Sequence, residues 1–403
     1  MNKINEHNFA DLYTISSGIS TTKEQAGYGS PFVSFSTIFN NYFLPDALTD
    51  LMSTSEKEQD TYSVKEGDIF LTRTSETVDE LAMSSVALKD YPCATFSGFA
   101  KRLRPKKKEV AYHKYLGFYL RGYLFRQAVT NHSIMTLRSS FNEEIFALLK
   151  LYLPEYEQQV KIGDFLYDID RKITLNGRIN AELEKMAQLL YNYWFVQFDF
   201  PNAEGKPYRT SGGEMVYSEK LKREIPEGWV VRLVEENYDV LRGTLITEKD
   251  ARKGNVKVVA AGLEHSYCHA EANRPRNTIT ISGSGANAGF VRLWREPIFA
   301  SDCSTVRGKE DIDTLIIYQH LKFIQKVITK KATGSAQPHV YPDDIKTLVF
   351  FDIPEQLKKN VANYYIPIND KIAKLQQEND ELTALRDFLL PLLMNGQVRV
   401  ALD

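Results

Sequence analysis

Cysteine is scarce in this chain. Cys93, Cys268 and Cys303 are odd in number and widely scattered, which argues against a disulfide framework and against a four-cysteine zinc site. No stretch approaches the ~18 consecutive apolar residues of a membrane-spanning helix, and Met1 to Glu6 lacks the apolar run of a signal peptide. The expected location is therefore cytoplasmic. No Gly-x4-Gly-Lys-Ser/Thr loop is present for ATP. Neither charge sign dominates: the net charge is -2, so any nucleic-acid contact must come from local distribution rather than from the total. At 403 residues, 43% of them apolar, the chain is long enough for two or three domains, each with its own core.

What is present is an internal repeat, about two hundred residues apart. Leu153-Pro154-Glu155 returns as Ile353-Pro354-Glu355. Ile169-Asp170-Arg171-Lys172-Ile173 returns as Ile368-Asn369-Asp370-Lys371-Ile372, and Asn180-Ala181-Glu182-Leu183 as Asn379-Asp380-Glu381-Leu382. A chain reading globular segment, long helix, globular segment, long helix is expected to have two equivalent halves about an approximate two-fold axis.

Each helical copy carries a heptad-like seam. The first runs through Ile169, Ile173, Leu183, Ala187, Leu190 and Trp194, with Asn176 and Asn180 as polar members. The second runs through Ile368, Ile372, Leu375, Leu382, Leu389 and Leu393, with Asn379 and Arg386. Asn180 and Asn379 fall at the same place, and a seam asparagine fixes register at a cost in stability. Pro201 and Gly396 are stop signals, Pro367 is placed at the start of the second helix, and Pro391 is expected to kink its last turn. Both strands of a coiled coil are then present in one chain. Paired antiparallel, residues 165–198 form a rod of roughly 50 Å, between one and two turns of B-DNA.

The two globular segments resemble each other faintly. Tyr13 to Gly18 matches Tyr238 to Gly243. Each segment has a β-like run (Ile69 to Thr72, Ile279 to Ser282) and a later apolar stretch of helical character. The expected fold is α+β: two mixed heads, 1–152 and 229–352, alternating with helical spacers at 153–200 and 353–403. Residues 201–228 read as an irregular linker.

Several phrases carry a family resemblance: Tyr193-Trp194-Phe195-Val196-Gln197-Phe198-Asp199-Phe200, Glu204-Gly205-Lys206-Pro207, Ile225-Pro226-Glu227-Gly228-Trp229 and Leu392-Leu393-Met394-Asn395-Gly396. With the alternating layout, the chain resembles the specificity subunit of type I restriction–modification enzymes. That resemblance implies two target-recognition domains, each binding one half of a bipartite DNA sequence. It implies a coiled coil that sets their spacing and docks two adenine-N6 methyltransferase subunits, with restriction subunits joining where the system has them. S-adenosylmethionine is expected in the partner methyltransferase and no cofactor in this chain. Consistent with a non-catalytic role, no Asn/Asp-Pro-Pro-aromatic tetrad of the amino-methyltransferases is present. The competing readings are a stand-alone DNA-binding regulator or architectural protein, and a structural homodimer through the coiled coil.

Candidate DNA contacts come in three sets. Lys101-Arg102-Leu103-Arg104-Pro105-Lys106-Lys107-Lys108 packs basic residues densely enough to neutralise several phosphates, or to be a solvated loop. Two loops of equivalent position, with Arg138 and Ser139 in one and Ser335, Gln337 and His339 in the other, offer side chains suited to base edges. Arg73 and Thr74 take the place in the first head that Gly283 and Ser284 take in the second. Gly283 to Gly289 is glycine-rich, but the β-like run that follows denies it a dinucleotide-binding role. It reads instead as a hairpin turn, or as a loop whose bare backbone and small side chains, Ser284 and Asn287 among them, approach DNA. His265 to His269 lacks a fourth zinc ligand, so no metal is expected.

Overall fold

A computed structural model describes residues 4–75, 80–107, 109–132, 139–332 and 338–400. The chain forms two compact units, residues 1–174 with 379–403, and residues 175–378. The division falls inside both long helices, Tyr156–Tyr191 and Glu355–Met394.

The first unit is built on a four-stranded antiparallel sheet of β1 (Tyr13–Ser17), β2 (Ile69–Thr72), β3 (Ser84–Val86) and β4 (Ala100–Pro105). The strand order is β1-β4-β2-β3. Ile69 and Leu103 pair across the two inner strands, and both are fully buried. The core continues onto the helix His113–Tyr119, whose Tyr115, Leu116 and Phe118 are fully buried. A smaller sheet joins Leu51–Met52, Ala26–Val33 and Thr95–Phe96, the last two in parallel.

The second unit repeats this plan strand for strand. Its sheet comprises β5 (Asp239–Arg242), β6 (Thr278–Ser282), β7 (Val291–Trp294) and β8 (Cys303–Arg307), in the order β5-β8-β6-β7. A smaller sheet again has a parallel pair, Val256–Val259 with Phe299–Ala300. In each unit an outer antiparallel pair leads towards the long helix: Asn5–Asn8 with Lys150–Leu153, and Val231–Leu233 with Val349–Phe351. The shared architecture, faint in residue identity, is plain in the strand order. The fold is mixed α/β, as expected.

The long helices run antiparallel within each unit. In the first, Arg386 Nη1 donates to Asp170 Oδ1 (3.1 Å) and Asn379 Nδ2 to the Ile173 carbonyl (3.2 Å). In the second, Asn176 Nδ2 donates to Glu378 Oε2 (2.8 Å) and Tyr365 Oη to the Ala187 carbonyl (3.2 Å). Every seam residue read from the sequence is buried or half-buried, including Leu183, Asn180 and Leu382.

Two expectations change. Pro367 does not begin the second helix, which starts at Glu355, immediately after Pro354, and continues through Pro367. The proline lies on an exposed position, where the carbonyl it leaves without an intrahelical donor can take water. Residues 201–228 are not irregular throughout. They contain a hairpin, Met215–Ser218 paired with Arg223–Pro226, and Ile225 is buried. Beside it the first helix ends in a π turn, Asn192–Val196. That turn brings Phe195 against Trp229 and Phe351 (ring centroids 6.3 and 6.2 Å). No helix among the described residues is long and apolar enough to cross a membrane.

Candidate nucleic-acid interface

The candidate site of each unit lies where the inner strand of the sheet runs out. In the first unit the backbone just past β2 is held by two neighbours: Arg73 N–H donates to the Phe99 carbonyl (2.8 Å), and Phe141 N–H donates to the Arg73 carbonyl (2.7 Å). Thr74 and Ser75 pair with Ser140 and Ser139 as a short antiparallel ladder. In the second unit Gly283 N–H donates to the Asp302 carbonyl (3.3 Å), and Val340 N–H donates to the Gly283 carbonyl (3.0 Å). Ser284 bridges His339. Arg73 and Gly283, Phe99 and Asp302, and Thr74 and Ser284 are therefore structural equivalents. The strand end and the following loop, far apart in sequence, meet in both units. Arg138, Ser335 and Gln337 lie outside the described residues, as does Lys108.

The groups exposed here are chemically different in the two units. Arg73 is exposed, and Phe99, beside it in the backbone ladder, is 65% exposed. In the second unit Ser284 Oγ donates to Asp302 Oδ2 at 2.6 Å, and the His339 ring stacks on Tyr341 (5.9 Å, 13° between planes). Ser284, Asn287 and His339 are half-buried. The glycine-rich segment is a single 3-10 turn, Gly285–Asn287, linking β6 to β7, with Gly285 and Gly289 in the left-handed region (φ +75° and +85°). The hairpin-turn reading fits it.

The basic run has a different fate. It is not a solvated loop but strand β4, covered on both edges by β1 and β2. Lys101 is buried, donates to Ser17 Oγ (2.9 Å) and pairs with Glu143 (3.3 Å). Arg102 is buried over the Phe96 ring (5.2 Å) and donates to the Ser63 carbonyl (2.6 Å). Burial, with Arg104 alongside, lowers its pKa. Arg104 grips the fully buried Asp68 with two hydrogen bonds, 2.8 and 2.6 Å, and that partner raises its pKa. Lys106 Nζ donates to the Ala10 carbonyl (2.7 Å). Of the residues described, Lys106 and Lys107 keep the exposure that phosphate contact requires, and Lys106 already spends one donor on that carbonyl. Lys101, Arg102 and Arg104 serve the head's own interior, a correction to their reading as phosphate contacts.

The histidine cluster divides for a similar reason. Along the strand Tyr267–His269 successive side chains point to opposite faces, so Cys268 is exposed and His269 buried. His269 Nδ1 accepts from the Arg252 N–H (3.0 Å) and its ring packs on Phe299 (5.2 Å).

Two exposed aromatic residues escaped sequence reading. Phe99 gave no periodic signal. Tyr28, 56% exposed, did carry one: it stands between Gly27 and Gly29, both left-handed (φ +92° and +94°), on a bulge that turns it outward.

The model of the type I restriction modification DNA specificity domain matches residues 3–185 and 226–384, one match over each globular segment and its helix. The chain belongs to that family. Among curated relatives, it is 25% identical over 345 residues to the specificity subunit of the type I restriction enzyme MjaIX from Methanocaldococcus jannaschii, covering 78% of this chain and 75% of that one. The specificity subunit of the HindI enzyme from Haemophilus influenzae is 49% identical, over 51 residues covering 13% of this chain and 11% of that one. The crystal structure of a type I restriction–modification S subunit from M. genitalium has the same fold, with a TM-score of 0.64 at 14% identity, covering 100% of this chain and 97% of that one. Specificity subunits of type I systems are DNA sequence-recognition components and are not catalytic.

Proposed function

We propose that each head reads one half of a bipartite DNA site. In this reading the paired helices form an intramolecular coiled coil that sets the separation of the halves and docks two adenine-N6 methyltransferase subunits about a pseudo-two-fold axis. Each methyltransferase then reaches an adenine on one strand, with S-adenosylmethionine and the flipped base held in the partner. Restriction subunits join where the system includes them.

The observation that carries this reading is the repeated strand order, with the same backbone ladder joining the strand end to the later loop in each unit. Two copies of one reading device on one chain suit a target in two parts. Helices of 36 and 40 residues are roughly 54 and 60 Å long, between one and two turns of DNA. Side chains at the strand ends then read base edges, while backbone amides and scattered cations hold phosphates.

Native mass spectrometry of the chain co-expressed with the adenine methyltransferase of its source cell tests the docking. The expected species holds two methyltransferases per chain. A complex saturating at one copy, or none, would contradict symmetric docking.

A further inference from the structure

Resting on that reading, we infer that Phe99 and Asp302 are the specificity-determining residues of the two heads. They occupy one structural position, and each is matched to its neighbour across the ladder. Phe99 with Arg73 selects a thymine beside a guanine in one half-site; Asp302, oriented by Ser284, selects a cytosine in the other.

The pairing is what argues for this. In the first head an exposed arginine and an aromatic ring that is 65% exposed stand on adjacent backbone, joined by the Arg73 N–H to Phe99 carbonyl bond. What singles Phe99 out is its place: the ring stands next to an exposed arginine at the end of the sheet, so this edge presents an apolar group and a bidentate donor side by side. In a major groove the thymine methyl is the apolar feature, and the guanine O6/N7 edge takes a bidentate arginine.

In the second head the equivalents are Gly283 and Asp302. A carboxylate at a DNA face is repelled by phosphates, so its presence there needs a donor on the base edge. Ser284 satisfies Oδ2 at 2.6 Å. The other oxygen, Oδ1, lies 3.1 Å from where a Cβ on residue 283 would stand, so the glycine leaves it uncrowded. An arginine at that place, as in the first head, would neutralise the carboxylate. The exocyclic amino group of cytosine is the matching donor.

The test is selection from a randomised duplex library by the full chain with its methyltransferase, comparing wild type with Phe99→Ala and Asp302→Asn. Phe99→Ala is expected to lower the preference for one thymine in one block roughly ten-fold and to leave the other block unchanged. Asp302→Asn is expected to move one position of the second block from cytosine towards adenine, because a carboxamide pairs with adenine N6/N7. Thermal melting of each variant shows that its fold is intact; both changes are mild, since Phe99 is exposed and asparagine still accepts from Ser284. A purely structural role would weaken all sequences equally. Variants that select the wild-type bases at every position overturn the inference while the bipartite reading stands. A wild type that selects no split motif overturns both.

Discussion

Replacing Asp68 with alanine lowers the stability of the first unit by about 3 kcal/mol. Breaking a buried ion pair by removing one partner costs about 3–5 kcal/mol, because the other charge is left uncompensated. The lower end applies: Asp68 is fully buried, but the Arg104 side chain is 32% exposed, so water relieves part of the loss. Asp68 also accepts from the Lys65 N–H (2.8 Å) and so ties the turn before β2 to strand β4. The expected melting shift is roughly 6–12 °C for a unit of this size. Arg104→Ala should show a similar shift, and at a temperature where the variant is folded the salt dependence of DNA binding should stay as in wild type. Lys107→Ala should leave the melting temperature unchanged. If Arg104→Ala kept its melting temperature and lowered the salt slope by about one, the arginine would belong on a phosphate.

The second large effect is acid destabilisation of the second unit through His320. This histidine is buried in the last turn of the helix Asp311–Phe323, its Nδ1 2.9 Å from Tyr191 Oη and its ring against Phe350 (4.6 Å). Burial drives its pKa down to about 4 from an ordinary 6.5. In the folded chain it is therefore neutral above about pH 4, whereas in the unfolded chain it takes a proton below about 6.5. Between those values the unfolded state binds more protons, so stability is complete above 6.5 and is lost as pH falls towards 4. From pH 7.5 to pH 5 the loss is about 2 kcal/mol. His320→Asn retains a polar atom near the Nδ1 position and cannot titrate. Urea unfolding at the two pH values should show the extra loss in wild type and not in the variant; equal losses would mean that His320 is already charged in the fold.

The helices were legible because their signal is local: seam positions recur at short intervals, and Asn180 and Asn379 coincide in the repeat. Pro367 misled because a proline inside a helix and one at its start look alike in sequence; the helix begins at Pro354-Glu355, a signal already visible as the repeat of Pro154-Glu155. The basic run misled for a different reason. A central strand whose two faces are both covered buries its polar side chains too, and only the fold reveals that Lys101 and Arg102 have partners inside the head. Phe99 and Asp302 were not legible at all. Their significance rests on meeting Arg73 and Gly283 across the fold, and neither neighbour is close in sequence.

In the function proposed above, one chain directs methylation to a site in two parts. The direct measurement is a genome-wide map of N6-methyladenine in the source cell, with and without this gene. Methylation is expected to disappear at one split motif, two short blocks separated by a fixed gap, with one methylated adenine on each strand. Loss at a single contiguous motif, or a map with split-motif methylation unchanged, would contradict it.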